Sequence, residues 1–324
     1  MSDLLFFQHF RLKKETVLFL LQKIEDRIEY DHNWNNSVSP INQLLICLRY
    51  YATGCHQLSL AFFGGMDKST VNRIIKRVTL AICHLSQQYI KLPETEDQKR
   101  NIQLEFFGIA AFPKVIGAVD CTHIKIQSPG GDDAEIFRNR KNFFSLNVQA
   151  AVDANYKFLN LVARWPGSTH DNTIFNNSIL KASFERNDFP NCFLLGDSGY
   201  AIKKYLLTPL LETRTRAENT YNEAHIRTRV IVENTFGIWK RRFPILAYGV
   251  RTKLQLTMHI IVATAILHNI AREATEELPP NDDRYNEAAF QQLLNNVPLN
   301  VVNEGNLQND GFRVRRELID NYFT

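Results

Sequence analysis

An α/β fold preceded by a helical N-terminal region is what this chain of 324 residues predicts, and three observations carry that expectation. Apolar residues recur at helical spacing through residues 1–90, strand-like runs begin at Lys114, and a long amphipathic stretch ends near Phe243. Hydrophobic residues make up 44% of the sequence, enough for a sizeable core in one large or two ordinary domains.

The N-terminal region reads as helices over Lys13–Tyr30, Ile41–Thr53, Leu58–Phe63 and Lys68–Leu85. The last two resemble a helix-turn-helix. Gly64-Gly65-Met66 is the tight turn, Asp67 the expected N-cap, and Val71, Ile74, Ile75, Val78 and Ile82 the apolar face of the second helix. Its other face carries Lys68, Arg73, Lys76 and Arg77, the side chains a recognition helix would present to a major groove. A three-helix packing unit with a solvated basic face explains the same residues. A polar stretch, Gln87–Asn101, reads as a break.

Beyond it, Lys114–Asp120, Phe143–Val152 and Lys157–Trp165 are strand-like, the last two joined by the turn signal Asp153-Ala154-Asn155-Tyr156. A helix over Asp171–Phe184 and a strand over Cys192–Gly196 follow, then helices. Three strands, a helix, a strand and further helices is the order of an RNase H-like fold. The expected organisation is a helical domain at 1–90, a linker and lead-in helix at 91–110, an RNase H-like core at 111–272, and a polar tail at 273–324 with a short helix over Phe312–Tyr322. Glu273–Asp283, with five acids and two prolines, reads as a solvated break.

Four acids fall where such an order would aim carboxylates at a common point. Asp120 closes an apolar run, Asp171 opens a helix, Asp197 follows Phe193-Leu194-Leu195-Gly196, and Glu233 lies in the amphipathic stretch. There Val232, Phe236, Trp239 and Phe243 form the buried stripe, so Glu233 sits about 100° away at its edge, with Arg229 four residues before and Lys240 seven after. A carboxylate cluster of this kind suits phosphodiester cleavage, which needs divalent cations held by oxygen ligands. Each acid also has a plain alternative: Asp171 an N-cap, Asp197 a turn residue, Glu233 an exposed salt-bridge partner. Asp120 is the hardest to explain away, because an acid ending a buried strand is costly unless paired or metal-bound.

Composition narrows the classes further. The net charge of +4 is modest, so nucleic-acid binding would rest on local clusters, of which His225–Lys253 is the densest, with Arg227, Arg229, Lys240, Arg241, Arg242, Arg251 and Lys253. Five scattered cysteines without C-x-x-C spacing read as buried free thiols. No uninterrupted apolar run approaches the roughly 20 residues of a membrane span, and no phosphate-binding glycine loop is present. His259 and His268, nine positions apart on one helix, face opposite ways and read as packing residues. His170 and His225 lie near the acids and would assist through them.

Taken together, Gly117–Ile124, Trp165–Asp171, Leu195–Tyr200, Val230–Gly237 and Leu267–Ile270 resemble the PIF/Harbinger DDE transposases and the nucleases of animals derived from them. The resemblance covers nearly the whole chain. It implies a Mg²⁺ or Mn²⁺ site with Asp120, Asp197 and Glu233 as the catalytic triad and Asp171 as an additional ligand. DNA is the implied substrate, and the basic clusters supply its expected contacts: Lys68, Arg73, Lys76, Arg77, Arg229, Lys240, Arg241 and Arg242. It also implies nuclear residence, with the cytoplasm as a second location, a Myb-like DNA-binding partner, a homodimer, and no membrane. The alternatives are a non-catalytic DNA-binding adaptor and an active transposase that retains strand transfer.

Overall fold

The computed structural model describes residues 1–30, 37–277 and 310–324. Its helices are α1 (Asp3–Phe10), α2 (Lys14–Ile28), α3 (Pro40–Thr53), α4 (Gln57–Gly64), α5 (Lys68–Cys83), α6 (Ser86–Tyr89) and α7 (Glu96–Ala110). Then follow α8 (Asp171–Asn176), α9 (Ile179–Glu185), α10 (Arg216–Arg242), α11 (Ile245–Tyr248), α12 (Leu254–Glu273) and a last helix, Asp310–Tyr322. The strands are β1 (Val115–Lys125), β2 (Ser145–Val152), β3 (Phe158–Pro166), β4 (Phe193–Leu195) and β5 (Leu206–Leu207). The mixed α/β architecture expected from the sequence is therefore observed.

Backbone contacts gather the chain into two units, each discontinuous in sequence. The first takes Met1–Lys91, His123–Leu146 and the chain from Ile238 through α12. Here α5 packs against α2, α3, α4 and α12. It does so through Val71, Ile74, Ile75, Val78 and Ile82, all buried as their helical spacing predicts. Pro40 opens α3, and Gly54 closes it at φ 60°. A Cβ on Gly54 would meet the Ile245 Cα at 3.2 Å. Gly54→Ala is thus expected to destabilise the protein by about 1–2 kcal/mol, read as a lower urea midpoint at unchanged slope.

Helix α12 is long and apolar enough to cross a membrane by composition, but 67% of its most apolar window is buried inside the protein, as in a core helix. Its Asn269 donates through Nδ2 to the Tyr89 carbonyl at 2.7 Å, satisfying an acceptor at the end of α6. His268 is buried on the same helix, and His259 bonds the Gln255 carbonyl one turn back.

A second buried feature corrects the expected solvated break after α12. Glu276 is fully buried and pairs with Arg242 at 2.8 Å, both side chains being inaccessible to solvent. The same carboxylate accepts from the Lys13 N–H, so it ties the end of α12 to the start of α2. The remainder of the expected tail before Asp310 lies outside the described residues.

The second unit takes Leu92–Thr122, Asn147–Gly237 and the last helix. The polar stretch expected as a break begins α7 instead. Thr95 accepts from the Gln98 N–H while the Gln98 side chain returns to the Thr95 N–H, a reciprocal cap that polar residues supply and that a search for breaks overlooks. The expected Asp171–Phe184 helix is two, because Ser178 leaves the helix and caps α9 by accepting from the Lys181 N–H at 3.1 Å. In the last helix, Arg315 and Arg316 face the same unit: Arg315 donates to the Thr208 carbonyl, and Arg316 pairs with Glu218 at 2.8 Å.

The five strands order as β3-β2-β1-β4-β5, with β1, β4 and β5 parallel. The β2–β3 turn closes on Asp153, whose carboxylate accepts from the Asn155 and Lys157 N–H groups. Strand β1 runs five residues past Asp120, so that acid lies within the strand rather than at its end. Gly117 lets β4 come close: a Cβ there would stand 3.0 Å from the Leu194 side chain.

Candidate metal centre

Register builds the site. Ala118 on β1 pairs with Leu195 on parallel β4. Two residues further along each chain stand Asp120 and Asp197, side by side by the period of two that sends alternate side chains to one face. Asp197 turns immediately after β4, its Oδ1 accepting from the Gly199 N–H at 3.0 Å. Asp120 Oδ1 accepts from the N–H of Cys121 at 2.7 Å.

Asp171 is the first residue of α8, whose N-cap is His170, so it is not the cap itself. Asn147 on β2 aims it, donating through one Nδ2 to both Asp171 Oδ1 and the Thr169 carbonyl, each at 2.8 Å. Glu233 comes from α10, where Arg229 meets it one turn away at 2.7 Å and reaches Asp120 at 3.2 Å. Val232 and Phe236 are buried beside it, as the predicted stripe requires.

These neighbours set the electrostatics. Burial, then the Asp197 charge, holds the Asp120 carboxyl well above the usual carboxylate range despite Arg229; Asp171 adds to the rise. Burial and Asp171 likewise raise Asp197. Cys121 lies beside them, 3.4 Å from the Tyr200 hydroxyl, and burial with the Asp171 charge keeps it a thiol. Tyr200 in turn packs edge-on against Phe175.

Oxygen-only donors of this kind match Mg²⁺ or Mn²⁺. Carboxyls that raise one another gain most from an added cation, and the buried Asn147 Oδ1 accepts no hydrogen bond among the described residues. The donor chemistry thus fits a hard divalent ion. The side chains are not yet gathered around one: among the described residues no three His, Cys, Asp or Glu form a ready coordination group.

Residues 119–269, which span all four acids, match the DDE superfamily endonuclease family. The chain is 31% identical over 264 residues to "Putative nuclease HARBI1" of Homo sapiens, covering 80% of this chain and 75% of that protein. The chain belongs to the Harbinger-derived DDE endonucleases. The Xenopus laevis protein of the same name is 27% identical over 294 residues, 90% of this chain and 82% of its own. "Protein ALP1-like" of Arabidopsis thaliana is 28% identical over 258 residues, 72% and 61% respectively. No solved structure matches.

The basic residues expected at DNA divide three ways in this Harbinger-derived chain. Lys68, Arg73 and Lys76 are exposed on α5. Asp67 precedes them as N-cap without a side-chain capping bond. Arg77 is half-buried, lying over the Tyr30 ring at 3.9 Å. Arg229 is taken up by the acids, and Arg241 is half-buried. Lys240 and Arg242 are buried, which corrects their placement on a DNA-facing surface: sequence marked them as basic, but they lie near the apolar stripe. His225 is also interior, packed near Phe112 and Tyr221, with Nε2 against the Leu207 carbonyl; burial pushes it down to about 3, so it stays neutral.

Lys240 donates to the His123 carbonyl at 3.2 Å, and burial, with Lys141 nearby, brings its ammonium down to about 7. Against an unfolded value of about 10.4, the unfolded chain binds the extra proton between those pH values. Its stability cost is therefore full below pH 7 and fades as pH rises toward 10. Lys240→Met is expected to raise the melting temperature most at and below neutral pH, with the gain shrinking by pH 10.

Asn147, Cys121 and Tyr200 are the neighbours that sequence reasoning did not single out. Asn147 left one trace, a polar residue that, like Ser145 and Gln149, sits in a strand buried throughout.

Proposed function

We propose that the chain is a divalent-metal-dependent DNA endonuclease with an RNase H-like core, in which Asp120, Asp197 and Glu233 are the catalytic carboxylates and Asp171 a further ligand. The observation that carries this reading is the parallel β1–β4 register, which sets Asp120 and Asp197 side by side within the electrostatic reach of Asp171. Family membership, and the nuclease names of the relatives, point to the same chemistry.

When bound, Mg²⁺ or Mn²⁺ would supply an activated water and charge stabilisation for the departing 3′ oxygen. The chain's own residues supply the rest. Backbone N–H groups of Cys121 and Gly199 fix one oxygen of Asp120 and of Asp197, leaving the other oxygen of each to face a ligand. Asn147 fixes Asp171. Hydrolysis at such a site needs no side-chain nucleophile, and the Cys121 thiol is held protonated, so it does not compete for that role. The exposed Lys68, Arg73 and Lys76 would hold the DNA backbone through a salt-sensitive attraction. Strand transfer by the freed 3′ hydroxyl would use the same carboxylates. A nuclear setting and a Myb-like partner are the companion proposals, supported by the family resemblance.

A non-catalytic adaptor is the second reading, favoured by one observation: Arg229 already neutralises two of the acids. Purified protein incubated with supercoiled plasmid in Mn²⁺, Mg²⁺ or EDTA separates the two. Metal-dependent nicks bearing 3′ hydroxyl ends support the endonuclease; binding without nicking supports the adaptor.

A further inference from the structure

The acid site contains a cation with a divided allegiance. The Arg229 guanidinium reaches two carboxylates from different elements: Nη1 lies 3.2 Å from Asp120 Oδ2 on β1, and Nη2 lies 2.7 Å from Glu233 Oε1 on its own helix. An exposed pair four residues apart on a helix contributes little. This one differs in burial, with 15% of the Arg229 and Asp120 side chains exposed and 34% of Glu233. It also differs in reach, because the third member comes from a strand 109 residues away.

The oxygen Arg229 holds on Asp120 is the one a metal would need. Asp120 Oδ1 is committed to the Cys121 N–H at 2.7 Å, so Oδ2 is the atom left to face a ligand, and Arg229 faces it. A guanidinium and a hard divalent ion compete for the same carboxylate lone pairs. With the fork in place, the acids are not arranged as a coordination group.

We infer that Arg229 is the resident counterion of the acid cluster and that metal loading is an exchange, in which its guanidinium gives up Asp120 Oδ2 and Glu233 Oε1 to the incoming ion. Arg229 thereby holds the like-charged acids together in the metal-free protein and weakens the affinity for the metal that replaces it. The inference rests on the metal reading proposed above and adds to it a residue that sets metal affinity from within the site.

The test compares wild type, Arg229→Gln, Arg229→Lys, Asp120→Asn and the Asp120→Asn/Arg229→Gln double variant by Mn²⁺ titration calorimetry and by melting in EDTA. Arg229→Gln is expected to bind Mn²⁺ about tenfold tighter, a change of about 1.4 kcal/mol. In EDTA it should melt a few degrees lower, and adding Asp120→Asn should restore part of that loss, since the removed charge is the one left unpaired. Arg229→Lys, which keeps the charge but not the fork, should fall between wild type and Arg229→Gln in both readings. Unchanged or weaker Mn²⁺ affinity in both Arg229 variants, or melting losses that simply add in the double variant, overturns the counterion role. Melting coupling without Mn²⁺ binding by any form overturns the metal reading, and the exchange with it.

Discussion

Asp120→Ala is expected to reduce metal-dependent plasmid cleavage by on the order of 10³–10⁴-fold while leaving DNA affinity within a few-fold of wild type. Asp120 has three properties that no neighbouring acid has together. It lies within the central β1, one oxygen is fixed by a backbone N–H, and its carboxyl is raised by burial and by Asp197. The exposed basic residues of α5 belong to the other unit, so the substitution removes none of the proposed backbone contacts. Gel-shift affinity measured beside the cleavage rate checks both halves. A variant that binds and cuts like wild type would remove Asp120 from the mechanism.

Glu276→Ala is expected to cost about 3–5 kcal/mol of stability, the typical penalty for stranding a buried charge. Arg242 would keep its bonds to the Arg11 and Glu277 carbonyls but lose its only carboxylate partner among the described residues, in a place where neither side chain reaches solvent. Glu276 would also cease to accept from the Lys13 N–H, loosening the start of α2. Replacing both partners, as Arg242→Met with Glu276→Ala, should recover much of the loss, because an apolar pair no longer needs the ion. Chemical denaturation of the single and double variants reads the difference. Equal losses in the two would mean that packing, not the stranded charge, sets the cost.

How much of this was legible in the sequence depends on the distance over which the responsible residues act. The α5 face was legible because Val71, Ile74, Ile75, Val78 and Ile82 repeat at the helical period, and each is buried. The acids Asp120 and Asp197 stood out as charges after apolar runs, but their adjacency depends on the Ala118–Leu195 register, which no local pattern encodes. Two-residue β5 is too short to show an alternation. The split between α8 and α9 has no glycine or proline to announce it, only Ser178 acting as a cap. Arg242 belongs to a basic cluster that reads as DNA-facing and Glu276 to an acidic stretch that reads as a solvated break; their pairing is tertiary, and it moves both from surface to core. Arg229 was visible as a cation one turn from Glu233, whereas its reach to Asp120 follows from the placement of α10 beside β1.

The most direct test of the central claim is an anomalous difference map from crystals of this chain soaked in Mn²⁺. A peak is expected within about 2.5 Å of carboxylate oxygens from both Asp120 and Asp197, with the Arg229 guanidinium withdrawn from Asp120 Oδ2. Crystals that take up Mn²⁺ only elsewhere, with Arg229 still bridging Asp120 and Glu233, would contradict it.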